Sequence, residues 1–354
     1  MDDSTPLLSR SEMDFIREGC HQNCRVDGRG RDEYRGYRIV TEGSMSHEDN
    51  SSTSNPPLIL SNGSARLFEA ARHAHEDVSL HMLCSVKAEV VHPSALHPAQ
   101  GAMELHVESL TSSGPNSQRR KTQDELEATL SKLLMRDLVD LEALCIVPYH
   151  YVWRLHVDLF VLTAGSSHGS LCDAASHVIR AALQCTRLPA ITSSTATANE
   201  SHNGLAKASF RNKNPLFPHG GVELMVDGDL AVASPPPGVN QAPIIVSVTV
   251  LANSEVLRRT PVSAVSVAPV LILDATPDEE ACAVAQVHVA IDRSDGSNPL
   301  ITALHQSRQG SLPLNVLTDV CAIALQGAMS AEAAYVIRPG RNDLGLLQEQ
   351  FLFQ

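Results

Sequence analysis

Three features of the sequence predict an α+β fold. Apolar and polar residues alternate over several stretches, which marks half-buried strands. Two segments carry helical apolar spacing behind capping patterns. Their order is strand, strand, helix, strand, helix, which fits a mixed layer and not a parallel doubly wound sheet.

Residues 1–24 read as a short helical arm with Met13, Phe15 and Ile16 as apolar positions. The charged, turn-rich run Arg25-Val26-Asp27-Gly28-Arg29-Gly30-Arg31 follows, then Tyr34-Arg35-Gly36-Tyr37-Arg38-Ile39. Residues 41–57 are polar and low in complexity, as expected of a loop insertion. From residue 79, Leu80, Met82, Cys84, Val86, Ala88 and Val90 share a strand face. Met103, Leu105 and Val107 alternate with Glu104, His106 and Glu108. Thr122-Gln123-Asp124-Glu125 is a capping-box pattern ahead of Leu126, Leu130, Leu133, Leu134, Leu138 and Leu141. The strongest strand places Tyr151, Trp153, Leu155, Val157, Leu159 and Val161 opposite Arg154, His156 and Asp158. A weaker box, Ser170-Leu171-Cys172-Asp173, precedes a helix over AASHVIRAALQC that stops before Pro189.

Residues 191–240 break the pattern and read as a linker or insertion, ending in Pro235-Pro236-Pro237-Gly238. Buried strands are then expected at Ile244–Leu251, Val270–Asp274 and Val287–Ile291. A helix bearing Leu314, Leu317, Val320, Cys321, Ala324 and Leu325 follows, and 331–354 reads as a C-terminal tail.

The 354 residues suffice for two domains, and no run approaches about 18 continuous apolar residues, so no membrane span is expected. The acidic N-terminus lacks the basic and apolar regions of a secretory signal, leaving nucleus or cytoplasm as the expected location. Of eight cysteines, Cys84, Cys145, Cys172, Cys185, Cys282 and Cys321 read as sitting singly inside apolar segments, as reduced, buried thiols do. Cys20 and Cys24 flank His21, but no second ligand pair lies at zinc spacing, so no metal site is expected. A formal charge of −13 opposes any whole-surface affinity for RNA, so RNA contact requires a local basic patch or partners.

Several segments resemble the RNase PH superfamily, in particular the branch that builds the ring of the eukaryotic RNA exosome. Arg25-Val26-Asp27-Gly28-Arg29 with Tyr34-Arg35 is similar to the opening motif of those ring subunits. Leu144-Cys145-Ile146-Val147 and Val152–Leu159 resemble the central strand. Asp173-Ala174-Ala175-Ser176, Arg180–Leu183 and Thr186-Arg187-Leu188-Pro189 resemble the first-domain helix, and Asp274–Cys282 resembles one ring component in particular. The likeness covers about 25–39, 79–190 and 243–330; the stretches 41–57, 193–221 and 252–268 look like insertions. It implies a ribosomal protein S5 domain 2-like first domain at 25–190 and a smaller RNase PH C-terminal domain at 241–330. The implied partners are other RNase PH-like ring subunits, S1/KH cap subunits, associated nucleases, and RNA in a central channel, with no membrane. The implied locations are nucleus, nucleolus and cytoplasm.

Active members of the superfamily cleave RNA from its 3′ end with phosphate, which calls for a cationic cradle and carboxylates. The resemblance places those carboxylates where this chain reads Glu279-Glu280-Ala281-Cys282-Ala283-Val284-Ala285-Gln286, so Val284 and Gln286 replace acids and Glu280 alone remains. Where a Thr/Ser-Arg pair should precede the first-domain helix, Leu171-Cys172-Asp173 stands, and an Asp there is expected to repel phosphate. The expectation is a non-catalytic ring subunit without a cofactor, serving 3′-to-5′ RNA processing and decay including rRNA maturation. The alternatives are a phosphate-dependent exoribonuclease active in its own right and a homo-oligomeric RNA-binding protein. Asp274, Asp278, Glu279 and Glu280 are read as a solvated turn and helix start in preference to a metal site. His81, His106, His156 and His288 are read as exposed or satisfied strand residues. Arg119, Arg120 and Lys121, in an expected loop after Gly114-Pro115, are the candidate RNA contacts.

Overall fold

The computed structural model describes residues 8–42, 61–69, 80–110, 116–164, 168–195, 222–229, 232–251, 269–292, 299–308 and 311–339. Insertion residues 43–57, 196–221 and 252–268, and residues 1–7 and 340–354, lie outside this set.

The first half runs α1 (Arg10–His21), β1 (Tyr37–Glu42), β2 (Gly63–Glu69), β3 (Leu80–Val91), β4 (Ala102–Ser109), α2 (Asn116–Leu134), β5 (Cys145–Val147), β6 (Tyr151–Ala164) and α3 (His168–Cys185). A hairpin of β7 (Ile191–Thr195) and β8 (Val222–Val226) leads to β9 (Ile244–Leu251) and β10 (Val270–Leu273). Then come α4 (Pro277–Ala281), β11 (Ala285–Asp292), β12 (Leu300–Ser307), α5 (Leu314–Ala334) and β13 (Tyr335–Pro339). Among the described residues, one sheet has the order β13-β1-β2-β3-β6-β4, with β5 beside β6, and a second has the order β10-β9-β11-β12.

The mixed character expected from the sequence is present: β4 runs parallel to β6 and β13 parallel to β1, while the other pairings in the large sheet are antiparallel. Alternation set the buried faces correctly, with Met82, Cys84 and Val86 of β3 and Leu155, Val157 and Leu159 of β6 buried. In β9 every residue is buried, because both faces of that central strand are covered.

The two sheets share one core, and α3 lies between them. It packs on β1, β2, β3 and β6 on one side and on β9 and β11 on the other. A helix covered all round must be apolar or satisfied all round. Accordingly Leu171, Val178, Ile179 and Leu183 are buried, and Ala174, Ala175, Ala181 and Ala182 let the sheets approach. Each large side chain buried this way contributes about 1.5–3 kcal/mol.

Two helix starts differ from expectation. α2 begins at Asn116, so Thr122–Glu125 lie inside it and Arg119, Arg120 and Lys121 are helical residues, not loop residues. Gln118, Arg119, Arg120 and Lys121 are good helix formers, and their propensity carries the helix back past the predicted cap. α3 begins at His168, so Ser170 and Asp173 are internal and buried instead of capping. Residues 331–339, read as tail, finish α5 and form an edge strand. There Tyr335 stacks on Tyr37 (4.5 Å between centroids) and on His177 of α3 (3.8 Å). Among the described residues α5 is long and apolar enough by composition to cross a membrane. Its buried positions, Val316, Val320, Ala324, Gly327, Ala328 and Ala331, pack on the second sheet, while Leu314 and Met329 are exposed.

Candidate functional site

The opening arginines converge on the acids after β10. Arg25 forks onto Glu279, Nε donating to Oε1 at 2.8 Å and Nη2 to Oε2 at 2.6 Å, and Nη1 donates to the Leu273 carbonyl at 3.0 Å. Arg29 donates to Asp274 Oδ2 at 2.8 Å and to Asp27 Oδ2 at 2.6 Å. Arg35 donates to both Asp274 oxygens, at 3.0 and 2.7 Å, and to Ser170 Oγ at 2.6 Å. Ser170 in turn donates to Asp274 Oδ1 at 2.7 Å. Gly28, at φ 79°, supplies the left-handed turn that brings Arg25 and Arg29 to one side. Asp274 itself sits at φ 45°, and its carbonyl accepts from both Arg25 and Arg29.

These contacts correct the acidic cluster. Asp274 and Glu279 are each 1% exposed and ion-paired, not solvated. Burial raises the Asp274 carboxyl, but hydrogen bonds from Arg35 and the charges of Arg35 and Arg29 outweigh it and hold the group far below the usual carboxylate range. Glu279 also completes the capping box of α4, accepting from Thr276 N at 2.8 Å. Asp278 alone of the four faces solvent.

Glu280, the acid that the resemblance leaves as a remnant, points at the start of α3. Its Oε2 accepts from His168 N at 2.9 Å and its Oε1 from Gly169 N at 3.1 Å. A carboxylate on the leading amides of a long helix occupies the place where such helices bind anions. A Cβ at Gly169 would displace the Gln286 amide and press on Ser247, so the glycine lets both side chains sit against the helix start. Gln286, itself buried, donates to Thr249 Oγ1 at 3.4 Å. So the neutral replacement lies beside the same helix start.

The role expected of Asp173 moves to Glu280. Asp173 lies inside α3, fully covered, with Ser247 donating to Oδ1 at 2.6 Å. Burial pushes its carboxyl well above the usual range against the lowering effect of Ser247. It faces the core instead of an anion. The remaining sequence candidates are dispersed. His106 is exposed; His81 stacks on Phe68 at 4.3 Å; His156 bridges Glu89 at 3.0 Å and Glu104 at 3.3 Å. Cys20 donates to Glu279 at 3.7 Å, while Cys24 is exposed. Arg119, Arg120 and Lys121 fall in the first turns of α2, and their side chains lie outside the described residues. His288 is fully buried and meets His168 and Cys172, all three ligand atoms lying within 4.8 Å of one another. No spacing in the sequence signals that encounter.

Residues 79–189 match the family described as the 3′ exoribonuclease family, domain 1, RNase PH. A chain of an archaeal exosome core aligns over 91% of this chain and 95% of its own length, with TM-score 0.54 and 17% identity. The chain has the RNase PH fold. A chain of the Archaeoglobus fulgidus exosome with RNA bound to the active site gives the same TM-score and identity, with 96% of it covered. By sequence the chain is similar to exosome complex component RRP45 of Danio rerio, 28% identical over 190 residues, which is 52% of this chain and 41% of that protein. It is also similar to the putative exosome complex exonuclease RRP42 of Dictyostelium discoideum, 28% identical over 236 residues, which is 52% of this chain and 65% of that protein. RRP42 is the component that Asp274–Cys282 resembles. The chain thus spans less than two thirds of either relative's length. In this RNase PH fold Asp274, Glu279 and Glu280, in the turn and short helix after β10, are spent on internal partners.

Asp274→Asn is expected to lower stability by about 3–5 kcal/mol, because it leaves buried guanidinium groups short of charge. The depressed carboxyl contributes stability that is present above its ordinary value of 3.8 and is lost as pH falls through the folded value. Urea unfolding of both proteins from about pH 5 downward should therefore show the difference shrinking with acid. A constant difference across that range would contradict the pairing.

Proposed function

We propose that this chain is a non-catalytic subunit of an RNA exosome ring, supporting 3′-to-5′ RNA processing and decay, rRNA maturation included. The observation that carries the reading is the Glu280 carboxylate seated on the His168 and Gly169 amides. Phosphorolysis needs an anion where preorganised donors can stabilise it. A resident carboxylate both fills those donors and repels a second anion at short range. Arg25, Arg29 and Arg35, beside the turn, are bound to Asp27, Asp274 and Glu279. Val284 and Gln286 supply no charge to a metal ion.

The contribution of such a subunit is shape: it closes the ring beside other RNase PH-like subunits and offers surfaces to S1/KH cap subunits and attached nucleases. The names of the relatives, an exosome complex component and a putative exosome complex exonuclease, support this assembly. It would work in the nucleus, nucleolus and cytoplasm, where its partners process RNA. Arg119, Arg120 and Lys121 in the first turns of α2 are proposed to meet the RNA backbone in the channel.

The purified chain, given RNA with a labelled 3′ end, phosphate and magnesium, is expected to release no nucleoside diphosphate. Release that disappears in Glu280→Gln would establish the rival reading of an enzyme in its own right. Affinity capture of the chain is expected to bring down a set of different ring subunits. A ring of one chain type by native mass measurement would favour the homo-oligomer instead.

Changing Arg119, Arg120 and Lys121 together to alanine is expected to weaken RNA crosslinking to the assembled ring and to reduce the salt dependence of binding, by a slope of about 0.7 per lost single-strand phosphate contact. Unchanged crosslinking and slope would remove these residues from the RNA path.

A further inference from the structure

We propose that His168, Cys172 and His288 form a zinc-class metal site that clamps the first turns of α3 to β11. His168 and Cys172 are four residues apart on α3, so their side chains lie one above the other on the same helix face. His168 Nε2 is 3.6 Å from Cys172 Sγ. In a tetrahedral zinc site with Zn–N of about 2.1 Å and Zn–S of about 2.3 Å, that separation would be about 3.6 Å. His288 approaches from the central region of the second sheet, and its ring meets that of His168 edge-on, with centroids 5.6 Å apart. Two imidazoles sharing one ion at about 2.1 Å would show about 5.2–5.5 Å. All three ligand atoms lie within 4.8 Å of one another, so closing each pair to its tetrahedral separation takes a shift of about 1.4 Å at most.

The surroundings suit a ligand set. Metal-bound histidines characteristically keep one ring nitrogen in a supporting hydrogen bond. Here Ser247 Oγ lies 2.7 Å from His288 Nδ1 and Ser307 Oγ lies 3.0 Å from Nε2, so either nitrogen can bind the ion while the other stays held. Ser247 is fixed in turn by Asp173 at 2.6 Å. A serine released by ligation has a second partner nearby, as Ser307 has in Gln286 Oε1 at 3.4 Å. Burial lowers both histidines, His288 to about 3, which leaves neutral rings with lone pairs. Burial pushes the Cys172 thiol up, so the thiolate forms only as the ion displaces its proton to solvent, and binding weakens as pH falls. His168 is partly exposed, which gives the ion a way in, and Glu280 beside it adds negative charge. The fourth position is left for water.

Cobalt(II), as a spectroscopic substitute for zinc, tests this on the full chain after chelator treatment. One equivalent should bind with a thiolate-to-cobalt charge-transfer band and the intense visible bands of tetrahedral cobalt, zinc should displace it, and the melting temperature should rise on loading. Cys172→Ala should lose the charge-transfer band. His168→Gln, at the partly exposed position, should weaken binding while leaving the metal-free fold intact by circular dichroism. Cys24→Ser should change nothing. Absence of a stoichiometric band, a band unchanged in Cys172→Ala and His168→Gln, or a band lost in Cys24→Ser would each overturn the site. None of these outcomes bears on ring membership, which rests on other residues.

Discussion

Asp274 is buried with its carboxylate shared among Arg29, Arg35, Ser170 and Tyr37, and the rest of the site depends on that arrangement. An unpaired charge at such depth would cost several kcal/mol. Three guanidinium groups, from Arg25, Arg29 and Arg35, meet four carboxylates, from Asp27, Glu69, Asp274 and Glu279, so each of the buried charges Arg25, Arg29, Asp274 and Glu279 has an opposite partner. The forked Arg25–Glu279 pair adds fixed geometry to the attraction. The left-handed backbone of Asp274 is held by the same arginines, which bind its carbonyl. Strain at that residue is thus compensated on the spot.

Fixing the turn at Asp274 also fixes the short helix α4 behind it. Thr276 and Glu279 cap α4, Arg17 reaches the Cys282 carbonyl at 3.3 Å, and the helix can present Glu280 in one direction only. That direction is the start of α3, the helix on which both sheets pack. The consequence joins stability to function. A carboxylate at a partly buried helix start can stabilise it by up to about 2 kcal/mol. The same carboxylate removes the helix from use as an anion cradle. On the proposed reading, an RNase PH fold with its cradle filled from within keeps the shape of the fold while giving up phosphate chemistry.

Much of the fold is legible in the sequence because it rests on local periodicity. The alternating faces of β3 and β6, the leucine stripe of α2 and the largely apolar, β-branched run of β9 are legible from the local pattern alone. The departures lie where distant residues decide. Glu280 and His168 are 112 positions apart, and Arg25 and Glu279 are 254 apart, so no window could show that the acids are neutralised internally. The Ser170–Asp173 box resembles a cap because both residue types favour caps. In the folded chain Ser170 serves Asp274 and Asp173 serves Ser247. The start of α2 departs from expectation for the opposite reason, since helix propensity over Gln118–Lys121 outruns a good capping pattern. In the sequence His288 is one of several strand histidines; only the packing of α3 on β11 gives it His168 as a neighbour.

The leading amides of α3 already hold a carboxylate, and the proposal of a non-catalytic subunit rests on that occupancy. A titration of the intact chain with inorganic phosphate, monitored at the amide resonances of His168 and Gly169, addresses it directly. Occupancy by Glu280 predicts that neither resonance moves as phosphate is added. Saturable shifts of both, at one phosphate per chain, would contradict it.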